Sequence, residues 1–211
     1  GADSYREILL IKEKLINYEP DLIISYTGVN DSGGYSREII FDETYDEYVQ
    51  NPFKFSSYPW YRTPFVISNV ITQNDIGNEI KPETLSDEQI KIYSESFRKN
   101  WSQSCDFLKE HNITSALILQ PSLITKKILS DFEKQIEPET KYRKQLLENY
   151  AKEFELLDKK CDHVFDLRDV MGDTSETTYY DNVHMNDFGN KIIAEKIYKK
   201  ILPTILENTL D

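Results

Sequence analysis

Three short apolar runs constrain this chain more than anything else in it. They are Asp21-Leu-Ile-Ile-Ser-Tyr-Thr27, nearly continuous and with β-branched residues, Ile113-Thr-Ser-Ala-Leu-Ile-Leu119, and the shorter Asp162-His-Val-Phe-Asp-Leu167. Strands of that kind are buried on both faces, which happens in parallel sheets. Parallel neighbours need long crossovers, and the runs are separated by stretches with helical periodicity. Helix, strand, helix, strand, helix, strand implies an α/β domain with a parallel sheet and helices on both faces.

The helical stretches carry their own boundaries. From Tyr5 to Asn17, residues Tyr5, Ile8, Leu9, Lys12, Leu15 and Ile16 share one face, with Asp3 or Ser4 as N-cap and Pro20 ending the run. Ser86-Asp-Glu-Gln opens a second helix that runs through Ile90, Tyr93, Phe97, Trp101 and Phe107 to about His111. A long charged stretch from Ser130 to Lys160, broken near Pro138, reads as a third, and its scattered carboxylates read as a solvated face. The last helix places Phe188, Ile192, Ile193, Ile197 and Ile201 on one stripe before Pro203. Residues 35–85 show no sustained period and hold an aromatic cluster, Phe53, Phe55, Tyr58, Trp60, Tyr61 and Phe65, so they read as an insertion in a single domain spanning 1–211.

Charge and composition exclude several functions. With 25 Lys+Arg against 37 Asp+Glu, the formal charge is −12, which argues against nucleic acid or an anionic membrane surface as partner. No apolar stretch is long enough to span a membrane, and no export signal is visible in residues 1–20. Localisation is therefore unmarked, with a secreted or envelope-associated protein allowed. Cys105 and Cys161 lack any zinc or redox spacing and read as thiols rather than as a disulfide. With seven glycines in all, no phosphate-cradling loop can be found, and His111, His163 and the cysteines form no metal-ligand spacing. No cofactor and no metal are expected.

Two polar segments sit at the carboxyl ends of expected strands, where open α/β sheets carry their sites. In Thr27-Gly-Val-Asn-Asp31, the amide of Asn30 can point across the top of the sheet as a donor to a developing oxyanion, although Asn and Asp are also ordinary turn residues. In Asp181-Asn-Val-His184, the carboxylate can hold one imidazole nitrogen while the other moves a proton, although a solvated loop before a helix would look similar. Asp166 and Asp169, at the end of the third strand, are expected to fix the loop that carries Asp181. Gln120-Pro121 reads as a strand terminator.

Taken together, Gly28-x-Asn30-Asp31 after a strand and Asp181-x-x-His184 before the last helix resemble blocks III and V of the SGNH, or GDSL-type, hydrolase superfamily. The flanks Pro20–Asp31 and Tyr180–Asn190 are similar to that family's as well, and the match covers most of the chain except the insertion. The resemblance implies a flavodoxin-like three-layer α/β/α sandwich with a mostly parallel sheet. It implies an esterase or lipase-like hydrolase with a serine nucleophile, His184 as general base and then acid, Asp181 as its orienter, and Asn30 as an oxyanion donor. Gly1 stands where the family's block II glycine supplies a second oxyanion donor.

The family's Gly-Asp-Ser of block I is not in this sequence. Gly1-Ala-Asp-Ser4 imitates it, but no strand precedes Ser4, and Ser4 is better explained as a helix cap. The nucleophile is therefore unknown within these residues. We expect an upstream segment that carries the serine and completes the sheet, which otherwise lacks its first strand. The substrate expected is a small-molecule or carbohydrate ester, acyl or acetyl. The alternatives are a non-catalytic SGNH-like binding or accessory domain in polysaccharide modification, or a flavodoxin-like binding domain unrelated to hydrolysis.

Overall fold

The computed structural model of the chain describes residues 3–34, 85–136 and 141–208. The expected insertion at about 35–85, with its aromatic cluster, lies outside the described residues apart from Leu85, and so does Gly1.

Helix α1 (Ser4–Glu13) starts at Asp3, whose carboxylate accepts from the Arg6 amide at 3.0 Å. Asp3 is thus the N-cap, and Ser4 is the first helical residue. The helix stops short of the expected Asn17: Leu15–Tyr18 tightens into a 3-10 turn, and Glu19, at φ 49°, takes the left-handed conformation that turns the chain ahead of Pro20. Strand β1 (Leu22–Thr27) and the short helix α2 (Val29–Gly34) follow. Helix α3 (Asp87–Glu110) opens with a reciprocal capping box between Ser86 and Gln89. Strand β2 (Thr114–Leu119), helix α4 (Lys141–Glu155), strand β3 (His163–Asp166) and helix α5 (Asp187–Asn208) complete the order.

Among the described residues the sheet is β1-β2-β3, parallel throughout, with Leu22 opposite Thr114 and Ala116 opposite His163. This register puts Ile23, Ser25 and Thr27 on one face with Leu117, Leu119 and Val164. Helices α1, α3 and α4 cover that face through Tyr5, Ile8, Leu9, Phe97, Trp101, Tyr150 and Phe154, with the Phe97 and Tyr150 rings stacked at 4.5 Å. The opposite face, with Tyr26, Ala116, Ile118 and Phe165, lies toward α5. There Ile193 and Ile197 pack with Tyr26, Met171 and Tyr179, and the Lys200 ammonium lies 4.5 Å over the Phe165 ring. The result is an α/β/α arrangement. The free edge of β1 has no partner strand among the described residues, and Ile24 on it is 45% exposed.

Three expectations are corrected. Cys105 and Cys161 form a disulfide rather than standing as thiols: the buried stripe of α3 (Trp101, Cys105, Leu108) places Cys105 against the turn that enters β3. Among the described residues of the Ser130–Lys160 stretch, α-helix runs from Lys141, and before it Glu133–Gln135 is a single 3-10 turn whose Glu133 side chain bonds into the fold. And α5 continues through Pro203, which gives up one backbone hydrogen bond without ending the helix.

Candidate active site

The first candidate segment turns sharply out of β1. Gly28 adopts φ 109°, and a Cβ on it would lie 2.6 Å from Leu119 Cδ1, so only glycine fits. The Ser32 amide bonds back to Gly28 O at 3.0 Å, and the Ser32 hydroxyl donates to Val29 O at 2.7 Å, closing the first turn of α2. Asn30 is exposed on that turn. Its neighbour Asp31 is fully buried and does structural duty: it accepts from the Ser4 amide at 3.1 Å and from the Ser4 hydroxyl, and sits at the N-terminus of α1. Asn100 Nδ2 donates to the same hydroxyl at 3.2 Å. Ser4 is therefore sealed in the interior, its hydroxyl engaged by Asp31 and Asn100, and it does not cap α1 as expected.

The second segment is a tight hairpin ahead of α5. Tyr179 pairs with Met185 in an antiparallel bridge, the Tyr180 amide donates to His184 O at 2.8 Å, and the Asn186 amide donates to Thr178 O at 2.9 Å. Asn186 also caps α5, its Oδ1 accepting from the Gly189 amide at 2.9 Å. Gly189 allows this closeness, since a Cβ there would come within 2.5 Å of Thr178 O. At the tip, Asp181 Oδ1 accepts from the amides of Val183 and His184 at 2.8 and 2.7 Å, and Oδ2 lies 2.7 Å from His184 Nδ1.

This geometry fixes the chemistry available to the imidazole. Burial pushes the Asp181 carboxyl up, but the amides of His184 and Val183 and the imidazole bond outweigh it and hold it below the usual range. An ionised carboxylate facing Nδ1 assigns the proton to Nδ1 and leaves Nε2 as the acceptor. The ring is 78% exposed, so Nε2 is accessible.

The two segments meet at the carboxyl edge of the sheet. Val29, next to Asn30, and Val183, next to His184, line one small cavity together with Ser122, Ile124, Arg143 and Leu147. Arg143 Nη2 donates to Val29 O at 3.2 Å, and the Leu123 amide donates to Asn182 O at 3.0 Å. Asp166 and Asp169 do not fix the hairpin as expected. Asp166 binds the Arg168 guanidinium, 2.8 Å to Nη2, and Asp169 faces Lys127 at the surface, 3.4 Å away. The hairpin is held instead by Glu133 and Lys126, a fully buried pair whose carboxylate the sequence had placed on a solvated helix face. Seven residues apart across irregular backbone, they offer no periodic signal that could have marked them. Among the described residues, no group of three or more His, Cys, Asp or Glu could hold a metal ion.

No protein-family model matches the sequence, and no curated protein matches it. Solved structures do match. A putative acylhydrolase from Bacteroides fragilis NCTC 9343 superposes with a TM-score of 0.54 at 13% identity, covering 96% of this chain and 71% of its own. A catalytic mutant of an acetylxylan esterase from Geobacillus stearothermophilus gives a TM-score of 0.54 at 12% identity, covering 95% of this chain and 68% of its own. The chain shares the α/β/α fold of these two structures, the fold that its resemblance in residues 28–31 and 181–184 implies.

Proposed function

We propose that this chain is the greater part of a serine-dependent ester hydrolase, acting on an acyl or acetyl ester and, among such substrates, on acetylated carbohydrate. The observation that carries the proposal is the Asp181–His184 pair: a carboxylate 2.7 Å from Nδ1 on a ring whose other nitrogen is open to solvent, beside the turn that bears Asn30. Asp181 Oδ1 closes the turn on the Val183 and His184 amides, while the contact of Oδ2 with the exposed imidazole adds little stability of its own. The two similar structures, a putative acylhydrolase and an acetylxylan esterase, support the reaction class.

In this reading the nucleophilic serine lies on a strand preceding residue 1 that pairs with the open edge of β1, and residues 1–211 form one domain with an insertion at about 35–85. His184 Nε2 takes the serine proton as Oγ attacks the ester carbonyl, and Asp181 stabilises the imidazolium. The Asn30 side-chain amide and the Gly1 N–H donate to the oxyanion. Collapse expels the alcohol, which receives the proton from His184, and water repeats the sequence to release the acid. No step calls for a metal or an organic cofactor.

The test is active-site labelling of the full-length protein with a fluorophosphonate, read by intact mass and peptide mapping. A single adduct on a serine upstream of residue 1, lost in His184→Ala, supports the hydrolase. Absence of any adduct, with no turnover of p-nitrophenyl acetate, supports a non-catalytic accessory domain instead. Ser4 is sealed in the interior and engaged by Asp31 and Asn100, so an adduct on Ser4 is not expected in either outcome.

A further inference from the structure

We infer that the buried Lys126–Glu133 pair is a positioning device for the His184 hairpin, acting through the backbone of Thr178 and Tyr179. Both side chains are completely buried, 2.6 Å apart. Glu133 Oε1 accepts from the Thr178 amide at 2.8 Å, the Thr178 hydroxyl at 3.1 Å and the Tyr179 amide at 3.1 Å. Its Oε2 accepts from Lys126 Nζ and, at 2.9 Å, from the Ser130 amide. Lys126 Nζ donates in addition to Glu176 O at 2.6 Å. One carboxylate and one ammonium thus grip residues 176–179, the strand of the hairpin that runs directly into Tyr180 and Asp181.

A desolvated ion pair is a poor way to gain stability, because burying both charges costs about what their attraction returns. A pair of apolar residues would fill the space as well. What apolar residues would not supply is a directional acceptor for two consecutive amides at the hairpin base. Neither amide bonds within the hairpin, whose rungs run from the Tyr180 amide to His184 O and from the Asn186 amide to Thr178 O. The hairpin is closed on one side by its own bridge and on the other by Glu133. Asp181 and His184 are themselves exposed, and apart from the Leu123–Asn182 bond and the packing of Val183 their orientation is inherited from this base. Displacing a catalytic group by about 1 Å can cost on the order of a hundredfold in rate.

The kinetic arm of this inference rests on the ester-hydrolase reading, and the exchange arm does not. In Glu133→Gln the shape is kept, but the new NH2 confronts the Lys126 ammonium and the Ser130 amide. In the full-length protein we expect amide hydrogen exchange at Tyr180, Val183 and His184 to quicken at least about tenfold, while Leu117 and Ile118 in β2 keep their rates. With p-nitrophenyl acetate, kcat falls about tenfold or more with KM within about twofold. Thr178→Val removes only the hydroxyl contact, leaves the ion pair intact, and gives a smaller change in the same direction if Glu133→Gln does not fold. Exchange that quickens equally in β2 and the hairpin, or wild-type exchange with wild-type kcat in a folded Glu133→Gln, overturns the inference. A wild-type protein without turnover overturns the hydrolase reading alone, and the exchange data then decide.

Discussion

Two glutamates on opposite sides of the sheet show how differently this fold treats a carboxyl taken from water. Glu133 lies under the His184 hairpin and Glu7 lies where α1 meets β1, the strand at the sheet edge among the described residues. Burial raises both. At Glu133 the Lys126 ammonium, the Ser130 and Thr178 amides and the Thr178 hydroxyl outweigh it and hold the group down at about 2. At Glu7 burial is joined by the nearby carboxylates of Asp31 and Asp3, the Ser25 contact offsets little, and the group is pushed up to about 9. Burial alone sets neither outcome; the partners do. The hairpin side is finished, with each oxygen of its acid answered. The α1–β1 side holds an acid that the described residues leave protonated at neutral pH, beside a strand edge that has no partner among those residues.

The largest effect should come from breaking the finished side. Lys126→Met leaves a buried carboxylate without its cation and should cost about 3–5 kcal/mol in urea unfolding, whereas the double variant Lys126→Met/Glu133→Met should be more stable than that single variant. A double variant worse than both singles would mean that the pair stabilises in its own right.

The Cys105–Cys161 disulfide lies at the far end of the sheet from the hairpin and is a control that touches neither carboxyl directly. Replacing both cysteines by alanine should cost about 2–4 kcal/mol while leaving the shape of the stability–pH curve unchanged. A change in that shape would show that the disulfide acts through one of the two acids.

The open side can be sharpened by Glu7→Gln. A folded-state value of about 9 means that the folded chain binds a proton which the unfolded chain has released above about 4.5. Its stability contribution is complete below that pH and is lost as pH rises toward 9. Glu133 runs the other way: its contribution is complete above about 4.5 and is lost as pH falls toward 2. Together the two acids favour stability near pH 4.5. Glu7→Gln should remove the alkaline decline and gain roughly 1–2 kcal/mol at pH 7, allowing for screening by nearby water. Unchanged midpoints between pH 5 and 9 would place Glu7 in contact with solvent or with a cation. The smallest effect expected is that of Asp3→Ala, about 1 kcal/mol for a lost N-cap, measured in the same titration.

The order of elements was readable in the sequence because it depends on local pattern. The three apolar runs became the three parallel strands, and Ser86 with Gln89 marked the start of α3 to the residue. The Asp181–His184 contact was readable for the same reason, being a short loop whose spacing alone brings a carboxylate to an imidazole. What was not readable depends on contacts distant in sequence. Asp31 looked like half of a motif and is the acceptor for Ser4, 27 residues away. Glu133 looked like a solvated helical acid and binds Thr178 and Tyr179, 45 and 46 residues away. The disulfide joins residues 56 apart, a pairing that only the packing of α3 against the entry to β3 dictates. Buried polar ties carry no periodicity, so sequence pattern passes over them.

The central claim is that the open imidazole on this anchored hairpin moves the proton in ester hydrolysis. It is tested most directly by the kcat/KM of the full-length protein and its His184→Ala variant with p-nitrophenyl acetate, each checked for fold by circular dichroism. Loss of a general base should lower the rate by on the order of a hundredfold or more. A folded His184→Ala protein that keeps turnover within about threefold of wild type would contradict the account.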